Sequence, residues 1–327
     1  MKVPILVPNI FDYPFTYETG NIKLNVGDYV LIPFGKSKIT GVVWNEFEEE
    51  SNKKFHIKKV ILKLNIPSLN IKIINFLNWF SKYNLIPKGM ALKLLLLSSK
   101  AISDIDLKEF IKFEINSEKK KFYLTQEQSN ALKDLNNEID KFRVHVLQGT
   151  TGSGKTIVYF ESIKKILDKG NQVLIMLPEI GLTGQFEKKF REFFGFSAAI
   201  WHSGISLKKK KIIWNGIATG KIKVVIGARS SLFLPFINLG LIIVDEEHDQ
   251  SYKQDEGVVY NGRDMAISRA YFQNIPINLI TSVPSIETYE NIKSKKYKIS
   301  KIFNRFKKAS LPNYEIIDLN KSKLNPK

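Results

Sequence analysis

Gly149-Thr150-Thr151-Gly152-Ser153-Gly154-Lys155-Thr156 is the stretch that decides the fold. It satisfies G-x-x-x-x-G-K-[ST] at every fixed position. The glycines let backbone N–H groups turn inward around a phosphate with no Cβ in the way. All eight residues would wrap the phosphates, with Lys155 reaching the β- and γ-phosphates and the Thr156 hydroxyl ligating Mg²⁺. The flanks agree. Residues 143–148 read as a short buried strand and 157–163 as a helix, which sets the phosphate at a helix N-terminus. Glycine makes up about 7% of residues on average, so a chance match in this chain is on the order of one per cent, and the loop is read as a nucleotide site.

Working downstream, strands and helices alternate. Strands are expected at 144–148, 172–177, 197–201, 222–227, 240–245 and 277–281, and helices at 155–168, 183–194, 206–218 and 262–273. This alternation predicts an α/β fold, a parallel sheet with helices on both faces. Ligands in such sheets bind beyond the C-terminal strand ends. Gly240-Leu241-Ile242-Ile243-Val244-Asp245-Glu246-Glu247-His248 is an apolar strand running straight into carboxylates. Asp245 at the strand tip can hold Mg²⁺, directly or through water. Glu246 can orient or deprotonate the water that attacks the γ-phosphoryl group. Glu247 has no assigned role, and His248 either couples the nucleotide to another lobe or caps the turn.

Working upstream, Thr125 and Gln128 form a T-x-x-Q capping box opening a helix expected to run to about Lys141. Residues 1–65 are β-rich. Tyr29 to Phe34 and Ile39 to Trp44 flank the basic turn Gly35-Lys36-Ser37-Lys38, which predicts a hairpin in a small antiparallel sheet or barrel. The acidic run Glu46 to Glu50 reads as a surface loop. Residues 69–98 switch to helical periodicity, broken at Pro87-Lys88-Gly89, and predict a helix hairpin packed on that sheet. The expected division is 1–99 as a small β-rich domain with its hairpin, 100–123 as a linker and 124–327 as the nucleotide domain.

The bulk numbers set limits. The 327 residues include no cysteine, which excludes disulfides and thiolate zinc sites within them and fits a reducing cytoplasm. The longest apolar run, Leu94 to Leu97, is far too short to span a membrane. A net charge of +18 points to a polyanion such as nucleic acid, although lysine-rich solvated faces account for part of it.

Asp245-Glu246-Glu247-His248 behind this phosphate loop resembles the superfamily 2 helicases. Leu177-Pro178-Glu179-Ile180-Gly181-Leu182-Thr183 looks like their motif Ia, and Ile226-Gly227-Ala228-Arg229-Ser230-Ser231-Leu232-Phe233 like motif Ib. Ser251-Tyr252-Lys253-Gln254 with Tyr260 to Ala266 is similar to a block of the bacterial primosomal protein N′ family of replication-restart helicases. Independently, Pro14-Phe15-Thr16-Tyr17, Val26 to Val30, Pro33-Phe34-Gly35 and Gly41 to Trp44 resemble that family's domain for the DNA 3′ end.

The resemblance implies a RecA-like first helicase lobe preceded by a small DNA-binding domain. The implied activity is an ATP-dependent 3′→5′ DNA helicase, with ATP and Mg²⁺ as cofactors, that assembles a primosome at stalled or repaired forks. It implies that Gln128 reads adenine. Phe15, Thr16 and Tyr17 take a terminal nucleotide with the basic turn at Lys36 beside them, and Thr183, Gly227, Arg229 and Ser230 face single-stranded DNA. Implied partners are fork DNA, other primosome proteins, single-strand-binding protein and the replicative helicase. There are three departures. Val283 in Ile280-Thr281-Ser282-Val283-Pro284-Ser285 replaces the hydroxyl residue of motif III, which puts coupling of hydrolysis to movement in doubt. Residues 100–123 are too few for the family's winged helix. The family's zinc module and second lobe are expected only beyond Lys327, and zinc only there. Competing readings are a non-catalytic module that binds nucleotide and fork DNA, and an RNA-directed superfamily 2 translocase.

Overall fold

The computed structural model of the chain describes residues 1–47, 57–96, 122–178 and 184–305. Five antiparallel strands come first: β1 (Lys2–Leu6), β2 (Phe15–Glu18), β3 (Tyr29–Phe34), β4 (Ser37–Val43) and β5 (Leu62–Lys63), in the order β2-β1-β4-β3-β5. Strand side chains alternate between faces, and here both faces are apolar. Val3, Ile5, Tyr17, Val30 and Ile32 line one face; Leu6, Tyr29, Val42 and Trp44 line the other. The β3–β4 turn is tighter than expected. Phe34 pairs with Ser37, leaving only Gly35, at φ 58°, and Lys36 outside the ladder.

The helix hairpin is α1 (Ile71–Tyr83) and α2 (Lys88–Leu96). Asn70 caps α1 by accepting from Lys72 N at 2.9 Å. Gly89 passes so close to the segment after β1 that a Cβ would lie 2.3 Å from Asn9 O. The hairpin does more than cover the small sheet. Phe80 stacks edge-on at 5.0 Å to Phe233 and 5.6 Å to Tyr260. Trp214 Nε1 donates to Leu95 O at 2.8 Å, and the Trp214 ring meets Tyr29 at 5.6 Å. One continuous apolar core therefore joins the small sheet, the hairpin and the downstream lobe.

That lobe begins with α3 (Gln126–Asn136), β6 (Arg143–Gly149), α4 (Lys155–Asp168), β7 (Gln172–Met176), α5 (Gly184–Phe194), β8 (Ala199–Trp201) and α6 (Leu207–Ala218). It continues through β9 (Val224–Gly227), β10 (Leu239–Val244), a short hairpin of β11 (Lys253–Gln254) and β12 (Tyr260–Asn261), α7 (Gly262–Gln273), β13 (Pro276–Thr281), α8 (Ile286–Lys293) and β14 (Lys298–Ile302). Seven strands form one parallel sheet, β14-β6-β13-β10-β7-β9-β8. Apolar side chains of α3, α4 and α5 cover one face, and those of α6 and α7 the other. Continuous apolar strands such as Leu239–Val244, buried at all six positions, need this double cover. Among the described residues no helix is long and apolar enough to cross a membrane.

Helix α3 and strand β14 depart from the sequence reading, which also placed neither α8 nor the β11–β12 hairpin. Helix α3 stops at Asn136 rather than near Lys141, because Asn137 is extended and Glu138 turns left-handed at φ 55°. Asparagine is a poor helix former, and Asn136 instead accepts from Ser162 Oγ on α4 at 3.1 Å. Strand β14, interrupted by Lys298 and Lys301, gives little apolar signal and was not anticipated. All of the expected linker but Phe122 and Tyr123, and most of the acidic run, fall outside the described residues.

Strand β14 closes a buried polar chain. Arg143 Nη1 lies 2.7 Å from His145 Nδ1, His145 Nε2 is 2.9 Å from Ser300 Oγ, and Ser300 Oγ donates to Asp134 Oδ2 at 2.7 Å. Because Ser300 donates onward, His145 donates from Nε2, leaving Nδ1 to accept from Arg143. Burial, reinforced by the Arg143 charge, pushes the His145 imidazole down to about 4. The neutral ring thus belongs to the folded state. Its contribution is complete above the ordinary histidine range near 6.5 and drains away as pH falls through 6.5 towards 4. Between pH 7 and pH 5 the parent is expected to lose about 2 kcal/mol more unfolding free energy than His145→Asn. Urea denaturation at the two pH values checks this, and parallel losses would remove His145 as the cause.

Candidate functional site

The phosphate loop leaves β6 at its C-terminal end and feeds α4. Gly152 and Gly154 take φ of 82° and 86°, a region closed to ordinary side chains. A Cβ at Gly154 would also lie 2.3 Å from Gln128 Nε2. The Ser153 hydroxyl is buried without a partner. Lys155 is 8% exposed, and its Nζ donates to the loop carbonyls Gly149 O at 2.8 Å and Thr150 O at 3.4 Å. Thr150 and Thr151 are exposed at the loop's lip, and Thr156 is half-buried in the first turn of α4.

Gln128 sits beneath the loop, 3% exposed, with both ends of its amide engaged. Oε1 accepts from Thr125 N at 2.9 Å, completing the capping box, and Nε2 donates to Ser153 O at 2.8 Å. The adenine contact expected of Gln128 therefore competes with a bridge that props the phosphate loop on α3. The capping box and the nucleotide loop turn out to be one structure.

Asp245 arrives opposite the loop from the end of β10. Its backbone N donates to Met176 O at 2.9 Å, its Oδ1 accepts from Glu246 N at 3.0 Å, and its Oδ2 accepts from the Tyr159 hydroxyl of α4 at 2.9 Å. Tyr252 donates to the Asp245 carbonyl at 2.7 Å. Burial pushes the Asp245 carboxyl up to about 6 against these hydrogen bonds, and the charge of neighbouring Glu246 pushes the same way. Glu246 is left-handed at φ 46° and half-exposed, a strained backbone position of the kind that collects at functional sites.

The rest of the acidic motif points elsewhere. Glu247 is buried and accepts from Ser285 N at 2.8 Å, Thr288 Oγ1 at 2.9 Å, Ser285 Oγ at 3.1 Å and Arg263 Nη1 at 3.2 Å. His248 Nδ1 lies 2.8 Å from Thr281 Oγ1. The acidic motif thus grips the 280–285 stretch at both ends, although Val283 has no hydroxyl and is itself exposed. Sequence reasoning had not assigned Tyr159, Tyr252, Glu247, Arg263 or Thr288. Tyrosines at helical core spacing and an arginine beyond the acidic motif carry no signal of their own.

The residues expected to meet DNA fall into two groups. Gly227 ends β9, where a Cβ would clash at 2.6 Å with Ser231 Cβ. Arg229 opens a short 3₁₀ turn and donates to Lys253 O of β11, and exposed Ser230 accepts from Trp201 Nε1 at 3.2 Å. Thr183 lies outside the described residues. On the small sheet, Thr16 and Lys36 are exposed. Phe15 is half-buried within an aromatic cluster, 5.1 Å from Phe11, 5.2 Å from Tyr13 and 5.4 Å from Phe34. Tyr17 corrects the expectation. Paired with Val3 on the inward face of β2, it is 5% exposed and donates its hydroxyl to Pro33 O at 3.0 Å. Its ring serves the core and offers no free face to a base.

The parallel sheet, the glycine-rich loop and the carboxylates facing it define a P-loop protein of the helicase type, joined to a small β domain. The family model described as type III restriction enzyme, res subunit matches residues 121–309, and one described as 3′DNA-binding domain (3′BD) matches residues 2–96. The chain belongs to the first of these families and is related along nearly all its length to replication restart protein PriA. It is 43% identical to that protein of Rickettsia conorii over 98% of this chain and 49% of the relative. Against that of Bacillus subtilis it is 38% identical over 60% of this chain and 25% of the relative. Among solved structures, the DUF1998 helicase MrfA bound to DNA aligns at a TM-score of 0.39 and 18% identity, covering 56% of this chain and 27% of that one. The chain spans about half the length of the first curated relatives it matches.

Proposed function

We propose that this chain is the ATP-handling and DNA-end-binding portion of a 3′→5′ DNA helicase acting in replication restart. The observation that carries the reading is that Asp245, at the end of β10, is held by Tyr159 of α4, the helix whose first turn bears Lys155 and Thr156, beyond the C-terminal ends of one parallel sheet. The residues fit a nucleoside triphosphate with Mg²⁺: a positive-φ glycine cradle, an orphaned Ser153 hydroxyl, and a carboxylate whose burial is relieved by a cation. Among the described residues no three acidic or histidine side chains gather into a metal cage. A nucleotide-borne Mg²⁺ needs none, because phosphates and waters supply its other ligands.

In this reading the loop N–H groups and Lys155 bind the β- and γ-phosphates. Thr156 and Asp245 hold Mg²⁺, which when bound neutralises charge developing on the phosphoryl oxygens. Glu246 orients the attacking water and takes its proton. Arg229, Ser230 and the Gly227 backbone bind the phosphates of a single strand, and Phe15 stacks on the base at a 3′ end. Other primosome proteins, single-strand-binding protein and the replicative helicase are the proposed partners.

Phe15→Ala in the full chain tests the DNA-end half. It is expected to weaken binding to a fork with a free 3′-hydroxyl by about tenfold, the size of one stacking contact, while fluorescent-ATP binding stays unchanged. Anisotropy titrations with 3′-hydroxyl and 3′-phosphate ends give the readout. Equal affinities for the two ends in the parent would defeat the assignment.

A further inference from the structure

We propose that Tyr159 is a positioning residue that holds Asp245, one of the two side chains proposed to bind Mg²⁺, in place opposite the phosphate loop. This rests on the nucleotide site proposed above and adds a residue that the phosphate-loop and acidic motifs do not contain. The phenol is 0% exposed, yet its hydroxyl reaches the site, donating to Asp245 Oδ2 at 2.9 Å. One buried hydroxyl on the helix that opens with Lys155 and Thr156 therefore holds a residue of the opposite strand tip.

The helix explains how. Tyr159 follows Thr156 by three residues and Lys155 by four, so all three share a face of α4. Helical side chains lean towards the N-terminus and lie over the preceding turn. The Tyr159 ring is locked from behind by Phe160 at 5.2 Å, within the α4–α5 aromatic core. With Oδ2 fixed by Tyr159, Oδ1 by Glu246 N and the backbone by Met176 and Tyr252, the Asp245 carboxylate has one rotamer. Each of its oxygens keeps a lone pair for the cation or its waters. Removing the hydroxyl leaves the fold's apolar contacts in place and frees the carboxylate to turn.

The test is Mg²⁺ titration of a fluorescent ATP analogue bound to the full chain, comparing the parent, Tyr159→Phe and Ile32→Val. For Tyr159→Phe the Mg²⁺ concentration at half-saturation is expected to rise about tenfold, the size of one hydrogen bond to a carboxylate. Binding in EDTA is expected to stay within about twofold of the parent. Ile32→Val, a packing change in the separate core of the small sheet, should lower the melting temperature without moving the Mg²⁺ midpoint. An unchanged midpoint in Tyr159→Phe overturns the inference while leaving the nucleotide site standing. So does an equal loss of binding with and without Mg²⁺, which marks a structural role only. A parent that binds no nucleotide overturns the site and this inference together.

Discussion

Lys155→Ala is expected to abolish measurable ATP binding and to leave fork-DNA binding within about twofold of the parent. A charge-assisted hydrogen bond from an ammonium is worth about 1.5–3 kcal/mol. Losing it at two phosphate groups weakens the complex by at least about 100-fold, since each 1.4 kcal/mol is tenfold. The structure adds a second cost. Lys155 Nζ donates to Gly149 O and Thr150 O, so the ammonium also gathers the loop that it serves. The alanine variant loses both the phosphate contact and the brace, while Gln128 still props the loop from below through Ser153 O. Of the residues proposed to meet DNA, Arg229 and Ser230 lie just after β9, and Phe15 and Lys36 lie on the other sheet, so none depends on Lys155 for its position. Fluorescent-nucleotide and fork titrations on one preparation check both halves. Unchanged nucleotide affinity would falsify the site; a parallel loss of fork binding would mean that the two functions share structure.

The parallel sheet was legible because its strands are continuous apolar runs and its helices carry the 3.6-residue period; six of its seven strands fall where the pattern places them. Strand β14 was not, because Lys298 and Lys301 interrupt its short apolar pattern and its pairing to β6 is a tertiary event. The phosphate loop and Asp245-Glu246 were legible because local backbone chemistry dictates those residue types. What holds them was not: Tyr159, Gln128 and Tyr252 act across 25 to 86 residues of sequence, and spacing carries no trace of such contacts. Tyr17 shows the opposite failure. A motif match named the residue, but strand alternation decides which face it occupies, and Val3 beside it makes that face the core. The continuous core through Phe76, Phe80 and Trp214 also bears on experiment, because cutting the chain near residue 98 would strip Phe233 and Tyr260 from Phe80. Binding tests therefore belong on the full chain.

Glu247→Ala is expected to cost about 3–5 kcal/mol of stability, the range for removing one member of a buried ion pair. Arg263, with a side chain 7% exposed, would keep only Asp264 at 2.8 Å and the distant Glu287 at 3.7 Å as charge partners, both towards solvent. Three donors would lose their acceptor at once, Ser285 N, Ser285 Oγ and Thr288 Oγ1, and Arg263 Nη1 would keep only Ser285 Oγ at 2.6 Å. Ser285 caps α8 by accepting from Thr288 N at 3.3 Å, so the start of that helix should loosen with it. Glu247→Gln keeps one acceptor oxygen in place and is expected to cost about half as much. Removing Arg263 as well relieves the stranded guanidinium, so Glu247→Ala with Arg263→Ala should cost less than the sum of the single changes by about 1–3 kcal/mol. Urea denaturation of the four proteins gives the cycle. Additive costs would mean that Glu247 and Arg263 are neighbours without being partners, and that the grip on residues 280–285 comes from the Ser285 and Thr288 hydroxyls alone. A positive coupling places the strength of that grip in the ion pair, which would tie the acidic motif to α7 and, through Tyr260 at the foot of that helix, to the aromatic core shared with α1.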